Sequence, residues 1–155
     1  MDVLKLDLNG IHEFQQNRAP YLLIDFADEI IPGVSAKGYK DLSWEDWWFK
    51  VHWPGDPNMP GMLQIEALTQ LGALTVLTLP GNKGKIVYLS SANKLKFKKK
   101  IIPGDRLLLD VKLNGWKRGI GNCSGVGIVG DEIACQAEFI LIMPDIINEY
   151  KINKR

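Results

Sequence analysis

The chain has 155 residues, of which 46% are hydrophobic and 24% are charged. That length fits one domain, and the balance is typical of a globular protein, so the composition excludes a disordered chain. The formal net charge of +1 excludes a strongly basic nucleic-acid-binding protein, and we expect no nucleic acid among its partners. We interpret residues 1–155 as a single domain.

The cellular compartment is indicated by the N-terminus and the cysteines. The N-terminal residues MDVLKLDLNG interleave charged and apolar residues, whereas a signal peptide needs an apolar core. No apolar run approaches the length of a membrane span, so we expect a soluble, cytoplasmic protein without a membrane partner. Cys123 and Cys135 have no His or Cys neighbours at ligand spacing. We interpret them as free thiols on strands, in preference to a disulfide or a metal site.

The first half of the chain predicts short elements followed by one long helix. Residues 11–20 favour a short amphipathic helix or turn, and residues 21–31 and 34–42 favour strands on either side of Pro32-Gly33. From Pro60, at the expected first helical position, residues 61–79 are apolar on almost every face. A helix of that kind is buried, and Pro80-Gly81 ends it.

The second half predicts strands. Residues 85–98, 106–113, 119–129 and 132–143 have strand-like patterns, with turns at residues 103–105 and at Gly130-Asp131. The polar tail from 144 to 155 predicts no element. One long helix followed by an antiparallel run indicates an α+β fold, in which a sheet wraps around the central helix.

The loop and helix from His52 to Gln70 carry the candidate chemistry. His52 is suited to proton transfer, Glu66 is a carboxylate in an apolar helix, and Gln70 lies one turn later, where it can hold that carboxylate. Gly61 offers an unpaired N–H at the positive end of the helix dipole, without a Cβ to obstruct a ligand. The alternative interpretations are a hydrogen-bonded loop histidine, a surface carboxylate and a plain Pro-Gly turn. Together the four residues favour proton abstraction beside a carbonyl, with no nucleophilic Ser or Cys and no metal.

The stretch HWPGDPNMPGMLQIEALTQ resembles the active-site motif of the 3-hydroxyacyl-(acyl-carrier-protein) dehydratases, the FabZ and FabA families, whose pattern is roughly HFPGxPxMPGxLxIEAxxQ. The resemblance extends over residues 18–143 and includes PYLLIDFADEIIPG, KLKFKKKIIPGDRLLLDV and GDEIACQAEF. It implies a hotdog fold, a homodimer or a trimer of dimers, and sites that take His from one protomer and the acid from the other. By this resemblance His52 is the catalytic base, Glu66 the acid, Gly61 the donor to the thioester carbonyl and Gln70 the residue that orients Glu66.

The motif also departs from the family pattern. Val51 stands where the family usually has Gly, and Trp53 replaces the usual Phe. Glu66 resembles the FabZ branch, whereas Asp56 is similar to the branch that also isomerises the double bond. The departures at Val51 and Trp53 leave the acyl-chain length and the carrier preference open, and the sequence does not decide the pathway.

The resemblance implies dehydration of 3-hydroxyacyl thioesters on acyl-carrier protein to trans-2-enoyl thioesters, in fatty-acid or related synthesis, without a cofactor. The alternatives are a bifunctional dehydratase and isomerase, a hotdog acyl thioesterase and a non-catalytic acyl-binding subunit. A basic run predicts a docking surface for the acidic carrier, although a charged strand edge that prevents aggregation explains it equally well. The residues proposed for docking are Lys94, Lys96, Lys98, Lys99, Lys100, Arg106 and Lys117.

Overall fold

A computed structural model describes residues 2–153 of the chain. These residues form three α-helices and seven strands. The helices are α1 (Leu8–Phe14), α2 (Gly61–Leu77) and α3 (Pro144–Ile152), and a 3-10 turn spans Trp47–Lys50. The strands are β1 (Leu4–Leu6), β2 (Phe26–Ile31), β3 (Ser35–Asp41), β4 (Tyr88–Phe97), β5 (Arg106–Lys117), β6 (Ile120–Val129) and β7 (Glu132–Ile142).

The strands form one antiparallel sheet in the order β1-β2-β3-β5-β6-β7-β4. The predicted turn at Gly130-Asp131 is confirmed, because Val129 pairs with Glu132 and Gly130 has a φ of 61°. The sheet has two edges, β1 and β4, and is therefore open. No helix within the described range is both long and apolar enough to cross a bilayer.

Helix α2 lies against the concave face of this sheet, and 14 of its 17 residues are buried. It packs on β2, β3, β5, β6 and β7. Close approach depends on Gly72, where a Cβ would lie 3.1 Å from the ring of Phe139 and 3.2 Å from Val111. A long apolar helix held by a curled antiparallel sheet is the hotdog arrangement, and the predicted α+β fold is confirmed.

Several predicted boundaries are wrong. The first helix begins at Leu8 and ends at Phe14, because the side chain of Asp7 accepts a hydrogen bond from Gly10 N and caps it. The strand predicted from residue 21 begins only at Phe26. Helix α2 ends at Leu77 rather than residue 79, and Pro60 is its N-cap rather than its first helical residue.

Two elements had no sequence prediction. Strand β1 pairs with β2, and the tail from Pro144 forms α3. Pro144 at the start of α3 was the available signal for that helix, since Pro is favoured at the first helical position. Strand β5 also continues to Lys117, where it forms a hairpin with β6.

Candidate active site

The loop from His52 to Asn58 is closed by its own backbone hydrogen bonds. Asn58 N donates to His52 O at 3.0 Å, and Trp53 and Asp56 exchange two backbone hydrogen bonds of 3.0 Å across the tip. At the start of the loop, His52 N donates to Trp48 O at 2.8 Å. These contacts give His52 a fixed backbone at the end of the 3-10 turn.

The imidazole of His52 is half-buried, and its Nδ1 lies 3.0 Å from the carbonyl oxygen of Asn58. A carbonyl oxygen only accepts hydrogen bonds, so Nδ1 carries the ring proton and its N–H donates a hydrogen bond to Asn58 O. In the neutral ring Nε2 then holds the lone pair. Over residues 2–153 Nε2 has no hydrogen-bond partner. The ring is therefore arranged to accept a proton at Nε2.

Glu66 is the only charged residue of α2, and its side chain is half-buried. Burial raises the pKa of the Glu66 carboxyl, while a 3.0 Å hydrogen bond from Gln70 Nε2 to Oε1 acts in the opposite direction. The charge of Glu66 also acts on the Tyr21 phenol. The pKa of Tyr21 is raised mainly by burial and to a smaller extent by the Glu66 carboxylate. A carboxyl with a raised pKa is suited to act as a proton donor.

Gln70 connects Glu66 to the segment before β2. Its side chain is 2% exposed and uses both ends of the amide. Oε1 accepts from Leu23 N at 2.7 Å, and Nε2 donates to Tyr21 O at 2.8 Å as well as to Glu66. The hydrogen bond expected between Gln70 and Glu66 is therefore present, and the side chain that makes it is fixed by two further bonds.

Gly61 is the first residue of α2. Its N–H belongs to the first turn, where helical N–H groups lack intrahelical acceptors, and nothing in residues 2–153 accepts a hydrogen bond from it. The ring of Phe97, at the end of β4, covers the position that a Cβ would occupy: Cε1 and Cζ would lie 2.9 Å away. Phe97 was not predicted as a site residue, because only the pairing of β4 with β7 brings it to the start of α2.

Three of the four predicted residues line two separate cavities, and His52 lines neither of these two. Glu66 and Gln70 line a groove of about 380 Å³ together with residues 85–89. Gly61 and Phe97 line a second cavity of about 600 Å³, which also contains Trp53. Within the described chain, no hydrogen bond or ion pair joins His52 to Glu66. Within the described residues of one protomer, His52 and Glu66 therefore share neither a bond nor a cavity.

The seven basic residues proposed for carrier docking are also separated. Lys98, Lys99 and Lys100 line the cavity of Gly61, and Lys100 pairs with Asp56. Arg106 forms a two-point ion pair with Asp41 at 2.7 and 2.9 Å. Lys94 contacts Glu138 in a separate groove on the sheet, and Lys117 lines a cleft beside α3. Lys96 lies on β4 and lines neither cavity.

The two cysteines are free, buried and on strands, as predicted. Burial raises the pKa of Cys123 to about 12 and that of Cys135 to about 11, so neither is a thiolate at neutral pH. In the part of the chain that the structure covers, no three His, Cys, Asp or Glu side chains are grouped as metal ligands.

The sequence model of the FabA-like domain family matches residues 17–138. A 3-hydroxyacyl-(acyl-carrier-protein) dehydratase FabZ from Clostridium botulinum is 41% identical over 138 residues, which cover 89% of this chain and 96% of the relative. A FabZ from Natranaerobius thermophilus is 42% identical over 132 residues, covering 85% of this chain and 93% of the relative.

Solved structures share the fold at low identity. The dehydratase heterocomplex ApeI:P from Xenorhabdus doucetiae matches with a TM-score of 0.77 at 11% identity, over 94% of this chain and 97% of that one. The protein PH1136 from Pyrococcus horikoshii matches with a TM-score of 0.60 at 16% identity, over 81% of this chain and 86% of that one.

Proposed function

The chain belongs to the FabA-like family, and we propose that it is a 3-hydroxyacyl-(acyl-carrier-protein) dehydratase of the FabZ type. It removes water from a 3-hydroxyacyl thioester and produces the trans-2-enoyl thioester, in fatty-acid or related acyl-chain biosynthesis. The observation that carries the proposal is the arrangement around α2: a histidine with a free Nε2 in the loop before it, an unpaired Gly61 N–H at its start, and a half-buried acid in its second turn.

In the proposed reaction each of these three groups has one task. His52 Nε2 takes the proton from C2, and the electron pair of that C–H bond moves toward the thioester carbonyl. Gly61 N–H stabilises the negative charge that develops on the carbonyl oxygen. Glu66 then gives its proton to the C3 hydroxyl, which leaves as water as the C2–C3 double bond forms. Acid–base groups of this kind contribute roughly 10²–10⁴-fold to the rate, and an oxyanion donor about 10²–10³-fold.

We propose that the active enzyme is at least a homodimer, in which His52 of one protomer acts with Glu66 of the other. Two observations support this. The two residues line no common cavity in one chain, and β4 is an edge strand with exposed Tyr88, Leu89 and Phe97. Apolar side chains on an unpaired edge favour pairing with another chain. The proposed site needs two protomers, and a trimer of dimers would contain the same site.

We further propose that the carrier docks at Lys98, Lys99 and Lys100, because these three border the cavity of Gly61. The two buried cysteines, both without a disulfide, fit a reducing compartment such as the cytoplasm.

The decisive experiment incubates the purified protein with a 3-hydroxyacyl thioester and follows the enoyl absorbance. Wild-type protein should form the enoyl product without releasing free thiol, and His52→Ala and Glu66→Gln should each lower turnover by at least about 10²-fold while keeping the fold. Thiol release instead of enoyl formation would indicate a thioesterase, and a shifted double bond an additional isomerase. No turnover by the wild type would leave an acyl-binding subunit.

Carrier docking is tested by charge reversal. Lys98→Glu with Lys99→Glu should weaken the use of carrier-bound substrate more than that of a short thioester mimic, and salt should narrow the gap. The matched control is Lys37→Glu with Lys112→Glu, the same charge change at exposed positions on β3 and β5. Equal effects on both substrates would assign the basic run to the strand edge alone.

A further inference from the structure

Trp53, the residue that departs from the usual Phe of the motif, lies flat against the imidazole of His52. The ring centroids are 4.2 Å apart and the planes are inclined by 27°. Trp53 nevertheless stays 55% exposed. A ring this exposed is not held in place by burial in a core, and within residues 2–153 its aromatic partner is His52.

The backbone around Trp53 is fixed independently of this contact. Its two hydrogen bonds with Asp56 close the tip of the loop, and Asp56 forms an ion pair with Lys100, beyond the end of β4. The loop is thereby tied to the strand that carries Phe97. The indole is presented to the imidazole by a braced turn rather than by a free segment.

One hydrogen bond is not enough to orient a catalytic imidazole. The bond from Nδ1 to Asn58 O fixes one ring atom, but a single hydrogen bond tolerates some tilt of the ring plane, and tilt moves Nε2. A flat contact with a second ring restricts this tilt, because tilting the imidazole separates the two faces. The indole face also attracts the positive charge that the imidazole gains on accepting a proton.

We propose that Trp53 is a positioning residue, which holds the plane of the His52 ring against the indole and so directs Nε2 at the substrate. This rests on the proposed dehydratase function. Trp53 also borders the cavity of Gly61, where the proposed function puts the thioester carbonyl. A misdirected general base loses rate even when the substrate still binds, so the effect belongs in kcat.

The kinetic test compares Trp53→Leu, which keeps an apolar side chain but removes the ring, with Trp53→Phe, which keeps a ring that can stack. We expect Trp53→Leu to lower kcat roughly 10-fold with KM changed by less than about threefold, and Trp53→Phe to keep at least about half of the wild-type kcat. The matched control is Trp44→Leu, at a tryptophan that is 62% exposed and outside the site, which should be unchanged.

Three outcomes would overturn the proposal. An unchanged kcat in Trp53→Leu would mean that the ring does not position the base. A loss confined to KM would make Trp53 a wall of the substrate cavity only. A Trp53→Phe enzyme as slow as Trp53→Leu would show that stacking is not the operative contact.

A second measurement does not depend on turnover. A protonated imidazole quenches the emission of an indole stacked on it, so the part of the fluorescence that Trp53→Phe removes should fall on acidification in wild type. In His52→Gln this acid quenching should be absent. If it persists there, the rings are not stacked in solution and the proposal fails. If the quenching is as expected but the wild type has no dehydratase activity, the proposed function fails while the contact stands.

Discussion

Among single residues, Glu66 has the most consequential surroundings. It is the only ionisable side chain in α2, a helix in which 14 of 17 residues are buried. Its hydrogen-bond partner, Gln70, is neutral. Desolvation therefore dominates, and the pKa of its carboxyl lies above the usual range. A carboxyl that keeps its proton to higher pH suits the proposed role of Glu66, which is to protonate the leaving hydroxyl.

The raised pKa of Glu66 has a consequence for stability. At pH values below the usual range of a Glu carboxyl, both the folded and the unfolded chain hold the proton. As the pH rises from there through the raised pKa of the folded state, the unfolded chain releases its proton first, so this group's contribution to stability is lost. Glu66→Gln lacks that loss because an amide does not titrate, and its oxygen can still accept the hydrogen bond from Gln70. We expect the variant to gain stability relative to wild type over this pH window.

The measurement is urea denaturation of wild type and Glu66→Gln at a series of pH values from about 4 to 8. The difference in the free energy of unfolding should grow with pH and then level off. A difference that is flat, or that shrinks as the pH rises, would contradict the raised pKa.

The close contact between Gly61 and Phe97 predicts that a larger residue at position 61 destabilises the fold. In Gly61→Ala the new methyl group would stand 2.9 Å from the Phe97 ring, which must move into the cavity. We expect a loss of about 1–3 kcal/mol in the free energy of unfolding, together with slower turnover. Gly55→Ala is the control, because nothing lies within 4 Å of its Cβ position in the same loop. In a double-mutant cycle Phe97→Ala should relieve the stability cost, and full additivity would contradict the contact.

At the level of elements, the junction between α2 and the chain before β2 explains where that strand starts. Residues 21–31 have a strand pattern, yet Leu23 N and Tyr21 O bond to the Gln70 side chain instead of a neighbouring strand. The side chain of Gln70 thus makes the hydrogen bonds that a neighbouring strand would otherwise make. Pairing with β3 begins only after this contact, with the hydrogen bond from Asp25 N to Tyr39 O and the ladder from Phe26 onward.

This junction is tested by Gln70→Leu. The substitution leaves Leu23 N and Tyr21 O without partners and frees the Glu66 carboxyl, so we expect a loss of about 2–4 kcal/mol in the free energy of unfolding, with reduced activity. The control is Gln16→Leu, which removes one exposed hydrogen bond to Gly84 O and should cost less than about 1 kcal/mol. Similar losses in both variants, measured by urea denaturation, would show that the junction adds nothing specific.

At the level of the whole molecule, the sheet is open and β4 forms one of its edges. The side chains of β4 are mostly exposed, although the strand is ten residues long. Long exposed edges usually pair or carry protection against pairing. The lysines on β4 and the apolar Tyr88, Leu89 and Phe97 stand along the same edge, which fits an edge made for one partner of defined register.

The proposal that two protomers share each site gives a prediction for mixed dimers. His52→Ala and Glu66→Gln proteins, each nearly inactive, are unfolded together in equal amounts and refolded. Half of the dimers then contain one chain of each kind, with one intact site of two, so about a quarter of the wild-type activity should return.

Subunit exchange is verified with differently tagged chains, and each variant refolded alone is the control. If exchanged mixtures remain as inactive as their components, His52 must act with Glu66 of its own chain.

The sequence by itself determined the elements and residues that depend on neighbours along the chain. The position of α2 follows to within two residues from Pro-Gly pairs on both sides, and its burial follows from apolar residues on almost every face. The hydrogen bond from Gln70 to Glu66 follows from their spacing of one helical turn. The motif from His52 to Gln70 also sufficed to identify the family and its fold.

Only the tertiary structure decided what depends on contacts between distant segments. The late start of β2, the ring of Phe97 over Gly61 and the scatter of the seven basic residues all arise where remote strands or a helix meet. The bond from His52 Nδ1 goes to a backbone carbonyl, which every residue has, so no side-chain pattern indicates it. Glu66 lines a groove that His52 does not reach, and this too is a matter of direction in space, because the sequence gives their distance along the chain but not the faces they reach.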